Sequence, residues 1–190
     1  CLSVQKLSKL NSLKKENKMN DIDKAVLNEC IQRNKYLIDQ YTNDYKEMYL
    51  EYIIPVIPKD MFILASVNGI HKIQYEDLIL WKDILNDNPN TVLLFTVYYS
   101  NEGIDQIKNL FGKKYENRIY YMYNLKKIEH LARLRYIDCV IDTLNYGAHT
   151  CCGDVIWSGV PLVTLCGDKV ESRVCSSMLK AANLDELITN

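Results

Sequence analysis

The stretch from Met61 to Tyr99, MFILASVNGIHKIQYEDLILWKDILNDNPNTVLLFTVYY, decides the fold. Its first seven residues, MFILASV (61–67), form an apolar run that stops at Asn68-Gly69. That is the pattern of a strand buried on both faces and emptying into a loop. QYEDLILWKDILND (74–87) then puts Leu78, Trp81 and Leu85 on one face at helical spacing. Asn88-Pro89 ends that helix, because a residue before proline is pushed out of the α region. TVLLFTVYY (91–99) is a second apolar run of strand length. Strand, loop, helix, turn, strand is a βαβ unit, and doubly buried strands call for a parallel sheet with helices on its faces.

The alternation continues toward the C-terminus. NEGIDQIKNLFG (101–112) reads as a helix closed by Gly112. RIYYMYN (118–124) is a strand, KKIEHLARLR (126–135) a helix and CVIDT (139–143) a strand. HTCCGDVIWSG (149–159) opens a helix ended by Gly159, PLVTLC (161–166) is a fifth strand, and VESRVCSSMLKA (170–181) is a last helix. These steps predict an α/β fold, a Rossmann-like doubly wound parallel sheet over residues 60–190. Upstream the pattern fails. Pro55 and Pro58 break a stretch, Asp21 to Leu50, in which Ile22, Ala25, Val26, Cys30, Ile31, Leu37, Ile38 and Tyr41 recur near helical spacing. Cys1 to Asn20 is rich in Lys, Asn and Ser and reads as a frayed arm. The division expected is therefore a partly helical arm, 1–59, and a domain, 60–190. The chain opens at Cys1 rather than Met, which points to a piece of a longer protein.

Charge and cysteines narrow the function classes. With 23 Lys+Arg against 24 Asp+Glu, the net charge of -1 leaves no excess of cations for a duplex, so no nucleic-acid partner is expected. No apolar run approaches ~18 residues, so no membrane span is expected, and no secretory h-region opens the chain. Seven cysteines make no CxxC pair and no metal-ligand rhythm. They read as free thiols of a reducing compartment, and no metal is expected. GxGxxG and GxxxxGK[ST] are both missing, which disfavours a dinucleotide cofactor and a P-loop nucleotide site.

A doubly wound sheet binds its ligand at the carboxyl ends of its strands. The loops to inspect are therefore 68–73, 124–130, 143–150 and 166–171. The third is the richest. Asp142-Thr143 leads through Gly147, read as a tight turn, to His149-Thr150-Cys151-Cys152-Gly153-Asp154. Amides of residues 149–152 at a helix N-terminus suit an anion such as a diphosphate, and Asp154 suits a sugar hydroxyl. A second reading stays open: Thr150 merely N-caps the helix and Asp154 complements its dipole. Lys72, beside His71, reads as a phosphate contact or as a solvated lysine. The loop 124–130 carries Lys126, Lys127 and His130, with Arg133 on the same helical face as His130. His130 there either pairs with Glu129 or stacks on a base.

DCVIDTLNYGAHTCCGDVIWSGVPLVTLCGDKVESRVCSSML (138–179) closely resembles the nucleotide-sugar site of the O-linked N-acetylglucosamine transferases. Those enzymes carry a D-T then G-H-T-T-x-x-D-V-x-W-x-G-x-P-x-V-T pattern and an S-R-V helix. Upstream, Asn68 to Ile73, Trp81 and Pro89-Asn90-Thr91 track the family's N-x-x-x-K-I, W and P-N-S segment. Lys127 to Arg133 tracks its K-x-x-H-x-x-R segment, so the likeness covers about residues 58–190.

The resemblance implies the C-terminal, donor-binding half of a GT-B glycosyltransferase. It implies UDP-N-acetylglucosamine as donor, Ser/Thr hydroxyls of intracellular proteins as acceptors, a cytoplasmic or nuclear setting, and an N-terminal catalytic half as partner. By the same resemblance Lys72 meets the diphosphate of the leaving UDP and is the one catalytic residue. Lys127 and Asp154 reach the ribose. His130 and Arg133, with the backbone of Leu125, hold the uracil. His149, Thr150 and Cys151 present donors to the phosphates. Two positions depart from the family pattern: Gly69 stands where an amide side chain is usual, and Cys151 where a second Thr is usual. Residues 1–60 show no likeness to the catalytic half, so the isolated chain is expected to be inactive. Two alternatives remain, the donor half of a SPINDLY-type protein O-fucosyltransferase using GDP-fucose, and a nucleotide-sugar-binding module without catalysis.

Overall fold

The computed structural model describes residues 54–97 and 103–189. The arm 1–20, the helix over 21–50 and the end of the second strand at 98–99 lie outside the described residues. Within them, strands and helices alternate as the hydrophobic pattern predicts: β1 (Phe62–Gly69), α1 (Tyr75–Asp87), β2 (Thr91–Val97), α2 (Ile104–Phe111), β3 (Ile119–Tyr123), α3 (Lys127–Leu134), β4 (Cys139–Ile141), α4 (Thr150–Trp157), β5 (Leu162–Leu165), α5 (Val170–Ala181) and β6 (Ile188–Thr189). The strands form one parallel sheet in the order β3-β2-β1-β4-β5-β6.

Successive residues of a strand face opposite sides, and the core divides accordingly. Ala65, Val67, Leu94, Val140 and Leu162 point toward Ala132, Leu134, Cys152, Val155, Cys175 and Leu179 of α3, α4 and α5. Leu64, Leu93 and Phe95 point toward Leu78, Trp81, Leu85, Ile107 and Phe111 of α1 and α2. The anticipated apolar face of α1 is thus the buried one. Gly112 closes α2 at φ 74°, donating its N–H to the Lys108 carbonyl at 2.8 Å.

Two features differ from the sequence reading. A sixth strand, β6, pairs Ile188 with Thr164 and Thr189 with Leu165. Two residues have no periodicity, so only the neighbouring strand defines them. β4 is also shorter than expected, because its ladder to β1 covers only Cys139 and Val140. Asp142 keeps one backbone bond to β5, donating its N–H to the Val163 carbonyl at 3.0 Å, and from there the chain builds a loop.

The strand order reverses between β1 and β4, so the carboxyl ends of these two neighbours flank the crevice where such folds bind ligands. At that end β1 slips register. Ser66 pairs with Phe95 but Gly69 with Thr96, a bulge that bends the chain into the 3-10 turn Ile70–Lys72.

Candidate nucleotide-sugar site

The β4–α4 loop is built on one buried carboxylate. Asp142 is 4% exposed. Its Oδ1 accepts from Asn68 Nδ2 at 2.9 Å, the Thr143 amide at 2.9 Å and the Ala148 amide at 2.7 Å. Its Oδ2 accepts the Thr164 hydroxyl at 2.7 Å. Thr143 accepts a second bond from Asn68 at 2.8 Å and donates its hydroxyl to the Tyr146 carbonyl at 2.7 Å. Asp77, fully buried in the first turn of α1, accepts from the Leu144 amide at 2.8 Å and from the Gln74 amide at 2.7 Å. Burial holds its carboxyl above the usual carboxylate range, partly offset by those two backbone donors. The loop is therefore clamped from β1, β5 and α1 together.

Gly147 sits inside this clamp. Its backbone does not enter the left-handed region; what it needs is space, since a Cβ there would lie 2.9 Å from Asp142 Oδ2. Its N–H donates to the Glu171 carbonyl of α5 at 3.0 Å. Its carbonyl accepts from Lys72 Nζ at 3.1 Å, and the same ammonium lies 4.0 Å from the Tyr146 ring centroid. His149 packs edge-on to that ring, and its Nε2 lies 3.2 Å from the Glu171 carbonyl. A carbonyl only accepts, so His149 Nε2 carries a proton in that contact. His149, not Thr150, is the N-cap of α4, and it makes no side-chain cap bond. Thr150 is exposed at the first helical position and Cys151 half-buried behind it. Capping by Thr150, left open by the sequence, is thereby settled against.

The other side of the crevice comes from α3. Lys127 pairs with Asp154 Oδ1 across to α4, and His130 Nε2 stands 3.7 Å from Asp154 Oδ2. Arg133, 1% exposed, donates to the Tyr123 carbonyl and places Nη2 3.0 Å from His130 Nδ1. Burial, seconded by the Arg133 and Lys127 charges and opposed by Asp154, lowers the His130 pKa to about 4. Glu129 does not pair with His130; it accepts the Lys126 amide at 3.0 Å at the start of α3. Leu125 is half-buried and packs on the core below.

Of the residues singled out in the sequence, Lys72, His149, Thr150 and Cys151 gather around the start of α4, and Lys127, His130, Arg133 and Asp154 gather between α3 and α4. His71 is exposed and joins neither group. The sequence reading gave no role to Asn68, Asp77, Tyr146 or Thr164. The carboxylate closing the apolar run CVID, with the D-T motif, was the signal for Asp142; its distant partners Asn68 and Thr164 lie 74 and 22 residues away and carry no local pattern.

The glycosyl transferase family 41 profile matches residues 13–190. The chain belongs to glycosyl transferase family 41. The match begins well inside the stretch read as an arm. A probable UDP-N-acetylglucosamine–peptide N-acetylglucosaminyltransferase of Arabidopsis thaliana is 28% identical over 164 residues, 76% of this chain and 16% of that protein. The Caenorhabditis elegans UDP-N-acetylglucosamine–peptide N-acetylglucosaminyltransferase is 28% identical over 134 residues, 70% of this chain and 12% of that protein. Among solved structures, a mutant of the Thermobaculum terrenum O-GlcNAc transferase superposes with a TM-score of 0.60 at 26% identity, covering 72% of this chain and 28% of that one. A trehalose 6-phosphate synthase of Burkholderia multivorans, at TM-score 0.55 and 13% identity over 84% of this chain and 38% of that one, shares the fold. The chain thus spans under a fifth of the length of the curated relatives. Within family 41 its likeness is to the C-terminal half of the O-GlcNAc transferases, a GT-B-type Rossmann layer. No helix among the described residues is long and apolar enough to cross a membrane.

Proposed function

We propose that this family 41 domain binds UDP-N-acetylglucosamine as the donor half of a protein O-GlcNAc transferase. In the complete enzyme it acts opposite an N-terminal catalytic half that positions Ser/Thr hydroxyls of proteins. The observation that carries this reading is the convergence of two charged clusters on one crevice. Lys72 meets the Gly147 turn and the start of α4 on one side, and Lys127, Asp154 and His130 meet on the other. The first cluster suits a diphosphate, the second a nucleoside.

In this reading the diphosphate lies across the α4 N-terminus, with His149, Thr150 and Cys151 presenting donors to it. Lys72 leaves the Gly147 carbonyl, or shares it, to meet the charge that builds on the leaving UDP. A lysine and helix amides stabilise that charge without a metal. Asp154 and Lys127 exchange part of their mutual pairing for ribose hydroxyls. His130 lies against the uracil, with the Leu125 backbone and Arg133 completing that end. Cys152, Cys166 and Cys175 carry free thiols, which supports a cytoplasmic or nuclear setting.

Calorimetry with UDP and GDP tests the reading. UDP is expected to bind the chain at least tenfold more tightly than GDP. Equal or tighter GDP binding moves the protein to the fucosyl-transferring alternative, and no binding of either removes the nucleotide reading.

A further inference from the structure

We propose that Arg133 is a positioning residue whose buried guanidinium locks His130 as a neutral imidazole with its proton on Nε2, so the pocket keeps a fixed donor instead of a titrating group. The argument is one of donors and acceptors. A guanidinium carries N–H donors only and stays protonated in proteins. Nη2 lies 3.0 Å from His130 Nδ1, so Nδ1 must offer its lone pair. The ring proton then belongs to Nε2, which faces Asp154 Oδ2 at 3.7 Å, longer than a hydrogen bond. Protonating Nδ1 would set N–H against N–H in a site where Arg133 is 1% and His130 8% exposed.

Among the described residues, the charged groups facing the ring are Arg133 and Lys127 from α3 and Asp154 from α4. Two cations oppose protonation. The lone carboxylate that favours it already pairs with Lys127. Arg133 is itself held from β3 by the Tyr123 carbonyl, so the arginine cannot swing off the ring without stranding a buried donor. The consequence for binding rests on the nucleotide reading above; the tautomer does not.

The test uses the 15N-labelled chain, whose three histidines make assignment simple. Imidazole nitrogen shifts are followed from pH 4.5 to 8, and uridine affinity from pH 5.5 to 8, where uridine itself does not ionise. In the unsubstituted chain His130 is expected as the Nε2–H tautomer from pH 8 to 5.5, with protonation starting only toward the lowest pH, and uridine affinity is expected to stay constant within twofold. In Arg133→Met, the His130 titration is expected to move up into the measured window yet to stay below the ordinary value of about 6.5, because the ring remains buried, and uridine affinity to fall measurably between pH 8 and pH 5.5. An Nδ1–H tautomer, or titration at pH 6 or above in the unsubstituted chain, overturns the lock. A His130 that still does not titrate in Arg133→Met overturns the part given to Arg133. Should that variant fail to fold, the unsubstituted tautomer and titration decide alone. Uridine failing to bind while the tautomer holds overturns the nucleotide reading and leaves the lock standing.

Discussion

Lys72 and Asp142 do different work at one loop. Lys72 touches it from outside, through one carbonyl and one ring face. Lys72→Ala is expected to weaken UDP by one to two decades, ~1.5–3 kcal/mol for a charge-assisted contact, while uridine affinity stays within twofold. Calorimetry with both ligands checks this, and equal losses would make Lys72 a structural residue. Asp142 holds the loop from inside, with four donors on one buried carboxylate. Asp142→Ala strands buried donors of Asn68, Thr143 and Ala148, so a stability loss on the order of 3 kcal/mol or more is expected in urea unfolding. Lys72 was legible in the sequence as a cation in the loop after the first strand. The clamp around Asp142 was not, because Asn68 lies 74 residues away and Thr164 lies 22 away.

Among the elements, α3 is expected to carry an acid sensitivity through His130. It places His130 in a buried position between Arg133 and Asp154. The folded pKa, about 4, lies below the ordinary 6.5 of an unfolded chain. Between those values the unfolded chain binds the proton and the folded one does not. The stabilising effect is therefore present above pH 6.5 and lost as pH falls from 6.5 toward 4. Urea unfolding at pH 7 and pH 5 is expected to show this loss, and His130→Asn is expected to flatten it. An equal loss in both proteins would place the acid sensitivity elsewhere. The helical period of α3 could be read in advance, and with it the shared face of His130 and Arg133. That Arg133 would turn inward and donate to His130 could not, since an arginine on that face is equally compatible with solvent.

For the whole molecule, the described residues supply one Rossmann layer, whereas a GT-B enzyme reacts in the cleft between two. In the proposed function, donor binding and leaving-group stabilisation fall to this layer, and nucleophile positioning, which carries a large share of the rate, falls to the other. The 190-residue chain is expected to bind UDP-N-acetylglucosamine yet to transfer no sugar detectably to a mixed Ser/Thr peptide library. Transfer that survives purification and vanishes in Lys72→Ala would show that residues 1–59 complete an active site.

The alternation of strands and helices, the doubly buried sheet, the likeness to the family and the loops proposed to hold the donor were all legible in the sequence. These follow from periodicities and motifs written into contiguous residues, from MFILASV (61–67) to VESRVCSSMLKA (170–181). The two-residue β6, the space rather than the turn required at Gly147, the N-cap position of His149, and the Asn68–Asp142–Thr164 and Arg133–His130–Asp154 groupings emerged only from the folded chain. The reason is physical. Local spacing fixes which face a residue occupies, but a hydrogen bond between residues tens of positions apart exists only once the strands have paired and set the distance.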